Sequence, residues 1–458
     1  MPQSSTRPSE PSATRAAPPD ADLGEHTLRL CQQLLRIDTT NPPGNERVAA
    51  DVVAAELAAA GLAPQLFESG PGRANVVARY KGTGELPPLL LTAHLDVVEA
   101  DPSTWTHPPF GGVIADGCLW GRGAIDMKNM AAMSVAIITR LAREKTKLRR
   151  DVIFAAVADE EAGCDYGSKW LCERHPELVR AEYAIGESGG FSLHLGKTTY
   201  YPIQVAEKGL CWVRARVRGE PGHGSMPRED SAVLRLAEKV ARLKEPLPAH
   251  ITPIVQRFVA GIAARQPRFV QPLLERLLHP AVMPRLLKIL PDRSTARSFA
   301  ALIANTASPT VLRGGSKVNV IPGSAEVDID GRILPGQSEA DFLRELRAVI
   351  GDDVELEVMK SEPATVTEPI ESPLWSTIHD AILAREPDAV VVPYMIPGFT
   401  DAKYFTSLGM KWYGFSPVKL PRGMKFAEMF HGNNERIPVD GLKWGADVLF
   451  DVVQRFAR

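Results

Sequence analysis

Apolar residues follow two different rhythms along this chain, and the change between them falls near residue 208. In the first part, runs that are apolar at every position alternate with segments that are apolar on one face. PLLLTAH over 88–94 and DVIFAAVA over 151–158 are of the first kind. Such runs predict strands buried on both faces, hence central in a sheet. EHTLRLCQQLLRI places Leu28, Cys31 and Leu35 on one side of a helix, and Pro-Pro-Gly stops it. A second helix is expected over 46–60, ended by Gly61, and a third, more apolar one over 128–141. Short strands are expected over 75–80 and up to Glu187.

After residue 208 the rhythm becomes strictly alternating. Val213, Ala215 and Val217 face one way, and Arg214, Arg216 and Arg218 the other, as in a sheet with one wet face. A helix over 231–243 follows, with Val233, Leu236, Val240 and Leu243 in register. KVNVIPGSAEVDIDGRI reads as a strand pair across Pro322-Gly323, then come a helix over 338–350 and a strand over 354–359. The order β-α-β-β-α-β is ferredoxin-like. From about 365 the first rhythm returns, with a helix in ESPLWSTIHDAIL and a last one over 440–456. The expectation is an α/β protein whose catalytic domain, 21–206 plus 365–458, carries a lid domain inserted at 207–364. Within the lid, 245–305 is a helical insertion broken by prolines. Packed accessory helices are its plain reading; a cap on the site, a dimer contact and a membrane-surface contact are the others.

Composition narrows the function classes. The net charge is −2, from 53 basic and 55 acidic residues, with no basic run interleaved with aromatics. That gives no electrostatic case for nucleic acid or an anionic membrane. The five cysteines, Cys31, Cys118, Cys164, Cys172 and Cys211, lack zinc-ribbon spacing and fit a reduced, cytoplasmic protein. Residues 1–20 are rich in Pro, Ser, Thr and Ala and read as a disordered leader without a signal-peptide core. No stretch is apolar for long enough to span a bilayer. No Gly-rich phosphate loop follows a strand, which disfavours nucleotide-dependent chemistry.

The candidate chemistry sits at strand ends, where open α/β sheets place ligands. His94 and Asp96 form His-x-Asp, an imidazole with a carboxylate able to fix its tautomer. Asp126 lies in GRGAIDMK just before a helix, as an N-cap or as a carboxylate between two metals. Glu160 and Glu161 are adjacent acids at the end of a buried strand. Residues adjacent on a strand point opposite ways, so one ligand and one general base is a natural division. Glu187 ends a strand, and His431 lies in a polar loop. Each has a plain reading when taken singly: a structural pair, a cap, a solvated turn, a surface group. The set carries the case.

The stretches LLRIDTTNPPGNE, LLLTAHLDVV, WTHPPFGG, LWGRGAIDMKNM, DEEAG, PGHGSMP, KVNVIPGSAEVDIDGR, PGFTDAKYF and FHGNNERI span nearly all of the chain after the leader. Together they resemble the co-catalytic di-zinc amidohydrolases and exopeptidases, the family of aminoacylase-1, succinyl-diaminopimelate desuccinylase and the glutamate carboxypeptidases (peptidase family M20). The resemblance implies a zinc-exopeptidase-like mixed sheet and a lid that dimerises. It implies two zinc ions per chain, replaceable by cobalt or manganese. Asp126 would bridge them, with His94 and Glu187 completing one site and Glu161 and His431 the other. Asp96 would support His94, and Glu160 would be the general base acting on a metal-bridging water. His223 would reach a neighbouring subunit's site and stabilise the oxyanion, and Asn319, Arg332 and Gly398 would hold the substrate, Arg332 gripping a free carboxylate. Without the resemblance, His223 is a turn histidine and Arg332 a solvent-facing strand residue.

Two features stand apart. The 245–305 insertion exceeds the family's compact lid, and Met127 stands where the family often has a cis peptide, which the sequence leaves open. Glu187 leans weakly toward the acylase side of the family. The expected activity is hydrolysis of an amide next to a free carboxylate in N-acyl amino acids or short peptides. The competing readings are a dipeptidase or carboxypeptidase with the same site, and a non-catalytic dimeric binding protein.

Overall fold

A computed structural model of the chain describes residues 22–268, 270–276, 278–279 and 293–458. The leader read over 1–20 lies outside the described residues. The backbone of the molecule is a ten-stranded mixed sheet. Its main path runs Gln65–Gly70, Arg73–Tyr80, Arg150–Val157, Leu86–His94, Tyr183–Gly186, Lys411–Gly414, Thr198–Glu207, Thr365–Val366. Leu86–His94 lies parallel to both Arg150–Val157 and Tyr183–Gly186, and the latter lies parallel to Lys411–Gly414. Four neighbouring strands therefore end on the same side. Leu89, Leu90, Leu91 and Ala93 are fully buried, as a run apolar on both faces requires.

Helix Lys128–Glu144 is buried along most of its length against this sheet, with helices Leu23–Leu35, Glu46–Ala59 and Val439–Ala457 around it. Asp22 caps the first of these, accepting a hydrogen bond from the Gly24 N–H at 2.7 Å. Gly61, at φ +82°, follows the second. Among the described residues no helix is long and apolar enough to cross a membrane. All five cysteines are free, and four of them are buried.

A second, antiparallel sheet has the order Thr306–Gly314, Ser324–Ile333, Gly209–Arg218, Glu355–Glu362. Val213, Ala215, Val217, Val327 and Ile329 meet Leu236, Phe342 and Leu346 of two helices to form a separate core. The arginines of the wet face pair across strands, Arg214 with Asp328 at 2.7 Å and Arg216 with Glu326 at 2.6 Å.

The hairpin expected within 317–333 forms differently. The partner of Ser324–Ile333 is Thr306–Gly314, while Val320–Ile321 pairs with Gly222–His223. Thr306–Gly314 is an edge strand exposed for most of its length, so it lacks the apolar alternation that marks a half-buried strand, and it tolerates Pro309. The insertion also packs its first helix on the large sheet while its ends hold to the small-sheet unit, through Leu247 in the small core and Asn305 on Leu334 and Glu345. Ile254, Val255, Phe258 and Val259 of helix Pro253–Ala263 belong to the core of the large sheet, and Phe258 meets Tyr394 at 5.6 Å between ring centroids. Its described part is a set of accessory helices, the first of which packs on the strand Val390–Ile396.

Glu56 ties three helices together. Its carboxylate accepts from His26 at 2.8 Å and Arg29 at 3.3 Å, and Arg143 lies 3.6 Å away. The His26 hydrogen bond, and after it the Arg29 charge, hold the Glu56 pKa down at about 2 against the opposing effect of burial. With a folded pKa below the unfolded one, this stabilisation is complete above the ordinary pKa of 4.5 and is lost as pH falls toward about 2. Glu56→Gln should therefore lower the urea midpoint clearly at pH 6 and by much less at pH 3. An equal loss at both values would remove the carboxylate's charge as the cause.

Candidate active site

The carboxyl ends of the central strands converge on one buried cluster. Leu86–His94 delivers His94 and Asp96, both without solvent exposure. Tyr183–Gly186 delivers Glu187. The strand Arg150–Val157 stops before the acidic pair, so Glu160 and Glu161 lie in a turn rather than on the strand. The division of roles drawn from strand alternation therefore has no geometric basis, because the backbone turns at Asp159, φ +65°. Gly167 makes that turn possible: a Cβ there would sit 1.7 Å from the Ala158 carbonyl oxygen. Asp126 is presented just before helix Lys128–Glu144, and the Asp126–Met127 peptide is cis.

Asp126 stands between two imidazoles. Its Oδ1 lies 3.1 Å from His94 Nε2, and its Oδ2 lies 3.3 Å from His431 Nε2. Around His94 Nε2 are also Glu187 Oε2 at 3.8 Å and Glu160 Oε2 at 4.0 Å. His431 Nε2 is 3.1 Å from Glu161 Oε2. His94, Glu160 and Glu187, and likewise His94, Asp126 and Glu161, bring ligand atoms within 4.8 Å of one another.

The electrostatics of the cluster are lopsided, with four carboxylates facing two imidazoles. Burial, reinforced by neighbouring acids, pushes Glu161 up to about 7, Glu187 to about 8, and Glu160 well above the ordinary range. Burial also acts against the charge on Asp126, but hydrogen bonds from His431 and His94 outweigh it and hold Asp126 low. Hydrogen bonds to Asp126 and Glu161 raise His431 to about 10. Glu161 Oε1 and Glu187 Oε1 are buried without a hydrogen-bond partner. Oxygen atoms in that condition, beside imidazoles and an excess of acid, fit divalent cations.

Asp96 serves the site in more than one way. His94 Nδ1 is 3.0 Å from the Asp96 backbone oxygen and 3.6 Å from its carboxylate. The carboxylate accepts from the Glu160 and Glu161 backbone N–H groups at 3.1 and 3.0 Å, and from Asn41 at 2.8 Å. It thus fixes the acidic turn as well as the histidine.

The other expected residues form two further groups. Arg332 is not solvent-facing: its Nε and Nη2 hold Asp330 at 2.8 and 3.1 Å, its Nη1 is buried without a partner, and its guanidinium lies 5.1 Å from the Phe399 ring centroid. Gly398 precedes Phe399 in a spot where a Cβ would meet nothing closer than 3.9 Å. His223, on a short strand, and Asn319, in the turn before the strand that pairs with it, are both exposed, His223 bonding Ser225 Oγ at 2.7 Å. Among the described residues neither has a hydrogen bond or ion pair to the cluster.

The model of peptidase family M20/M25/M40 matches residues 90–455, most of the chain and all of the cluster. The chain belongs to that family. It is accordingly a metallohydrolase acting on C–N bonds. Among curated M20 relatives, aminoacylase-1 of Sus scrofa is 27% identical over 443 residues, covering 95% of this chain and 96% of its own. The N-fatty-acyl-amino acid synthase/hydrolase PM20D1 of Mus musculus is 28% identical, covering 85% and 80%. A probable carboxypeptidase S-like 2 of Dictyostelium discoideum is 29% identical, covering 83% and 75%. Among solved structures, an M20 family metallo-carboxypeptidase, Sso-CP2 of Sulfolobus solfataricus, superposes with a TM-score of 0.67 at 17% identity, covering 94% of this chain and 99% of its own. Human carnosine dipeptidase 1 gives 0.64 at 16%, covering 95% and 97%. These likenesses establish the mixed α/β fold.

Some residues packed around the cluster carried no role in the sequence reading. Asn41, in TTNPPG, joins Asp96 to Asp159. Asp401, in FTDAK, is buried and accepts hydrogen bonds from Ser168 and Cys164. Glu435, in NNERI, is fully buried behind Asp126. Their motifs were visible, but nothing local in the sequence says what they touch.

Proposed function

We propose that this chain is a two-metal amidohydrolase that cleaves an amide next to a free carboxylate, in N-acyl amino acids or short peptides. The observation that carries the reading is Asp126, with one oxygen toward each imidazole inside an excess of buried carboxylates. His94, Asp126 and Glu187 would hold one cation, and Asp126, Glu161 and His431 the other. Zinc is the expected ion, with cobalt or manganese as substitutes. When bound, the pair supplies Lewis-acid polarisation of the scissile carbonyl and makes an attacking water more acidic.

The chain's own groups do the rest. Glu160, whose Oε2 lies 4.0 Å from His94 Nε2, takes the proton of the attacking water and gives it to the leaving amine. Asp96 keeps His94 and the Glu160 turn in place. The unpartnered Arg332 Nη1 and the open backbone at Gly398 receive the substrate carboxylate. His223 and Asn319, exposed away from this chain's cluster, act in a homodimer joined through the lid, where His223 steadies the oxyanion in the neighbouring site. The free, mostly buried thiols fit a cytoplasmic setting.

A specific feature favours an acylase over a peptidase. Ile125, Phe191, Phe426 and Phe430 wall a small cavity against Glu187, with Asn129 and Ser416 beside them. Phe426 meets Phe191 at 5.2 Å and Phe430 at 5.3 Å between centroids. Such a wall suits an apolar acyl group better than the ammonium of a free peptide end. It is consistent with the N-acyl substrates in the names of two relatives.

The deciding experiment is metal analysis of the purified protein, paired with hydrolysis of a panel of N-acyl amino acids and dipeptides before and after chelation. Chelator-sensitive release of an amino acid is expected, fastest for apolar acyl groups. No metal and no turnover after zinc, cobalt or manganese is supplied would favour a binding protein. Glu160→Ala should keep its metal and lose turnover by about 10²–10⁴-fold; full activity would remove it as the base. Asp126→Ala should release both ions, which elemental analysis reads directly. Mixing His223→Ala with Glu160→Ala should restore part of the activity, and no recovery in verified heterodimers would exclude a shared site.

A further inference from the structure

Two loops bring the central carboxylate and the second histidine together, and the cluster alone holds neither. Asp126 ends one loop, and His431, half exposed at φ +56°, lies on the other, 305 residues later in the chain. A buried ion pair lies between them. Glu435 is fully buried, and its carboxylate accepts four hydrogen bonds. Oε1 takes the N–H groups of Ile125 at 2.6 Å and Asp126 at 3.1 Å. Oε2 takes the N–H of Gly123 at 3.0 Å and Arg122 Nη1 at 2.8 Å. The loop that presents Asp126 is therefore wrapped around one carboxylate.

Arg122 extends the clamp to the other loop. Only 2% exposed, it donates Nη2 to the carbonyl of Gly432, the residue after His431, at 2.9 Å. Its guanidinium rests on the Trp105 ring at 5.2 Å. The Gly121 N–H bonds the Glu435 carbonyl at 3.1 Å, and the Thr106 N–H bonds Asn434 Oδ1 at 2.7 Å. Among the described residues, the His431 side chain meets Asp126 and Glu161, both through Nε2.

We infer that Arg122 and Glu435 are positioning residues for metal: one buried ion pair sets both the carboxylate between the two cations and the histidine of the second cation. The inference rests on the two-metal reading above. Outer groups that orient ligands in this way typically change metal affinity by about 10–100-fold when replaced. Both residues are buried and bond to the backbone that carries Asp126 and His431, so the effect acts through those two.

The test uses the full chain and zinc. Wild type, Glu435→Gln and Arg122→Gln are dialysed against graded chelator. Bound zinc is measured by elemental analysis, and melting temperature is read with and without added zinc. Glu435→Gln turns an N–H group toward N–H donors. It should lose half its zinc at about 10–100-fold less chelator than wild type, with a smaller zinc-induced rise in melting temperature. Glu435→Asp, which keeps two acceptor oxygens, should recover part of the loss. Arg122→Gln leaves the carboxylate on its three backbone N–H groups and frees the His431 loop, so it should retain one ion and lose the other. It decides the matter if Glu435→Gln does not fold. Folded variants with wild-type chelator resistance and a wild-type zinc-induced rise, even at a lower apo melting temperature, would overturn the inference and leave the pair a plain structural bridge. Wild type that binds no zinc would instead overturn the two-metal reading itself.

Discussion

Like charge in a dry place is the constraint that organises this molecule. Asp126, Glu160, Glu161 and Glu187 converge where burial, reinforced by their mutual repulsion, drives three of them toward the protonated form. Acids so placed repel unless cations or fixed donors oppose them, and the fold supplies fixed donors throughout the next layer. Asp96 is itself an acid, yet it spends its oxygens on the backbone N–H groups of Glu160 and Glu161 and on Asn41. Arg73 joins Glu46 and Asp159 just behind the turn at 2.7 Å each. These contacts fix where the carboxylates stand but do not neutralise them. The remaining charge is what divalent cations would balance, and the parallel strands exist in the arrangement needed to deliver it to one point.

That arrangement was legible wherever sequence and geometry share a local cause. A run such as LLLTAH is buried on both faces and must be central, so His94 at its end points to a site. The same reasoning failed at Glu160 and Glu161, because alternation holds only while the strand lasts and this strand stops at Val157. It failed at Thr306–Gly314 because an edge strand has no buried face to impose a pattern. Arg332 looked like one more wet-face arginine among its neighbours. What sets it apart is Phe399, supplied by a segment of the other sheet's side of the chain. Glu435 was beyond reach for the same reason, since its partners lie 309 to 313 positions away.

The long-range contacts also decide how the two sheets serve one substrate. On the proposed reading, Glu160 belongs to the large sheet and Arg332 to the small one, with Gly398 and Phe399 between them. The span between reacting amide and gripped carboxylate is then a property of the junction, not of either sheet. That junction is held by specific bonds. Lys208 Nζ donates to the Ala304 carbonyl at 2.7 Å, and the Lys208 N–H to the Ile396 carbonyl at 3.3 Å. Asn305 accepts from the Leu334 N–H and donates to Glu345, both at 2.8 Å. Ala304 and Asn305 close the helical insertion, whose first helix is packed into the core of the large sheet. The insertion thus links the large sheet to the point where the chain enters and leaves the small one. Its physical consequence is restraint of the small sheet against the large one: on the proposed reading, the described helices of the insertion would help to place the carboxylate grip at Arg332, and substrate length would be measured across the junction they brace.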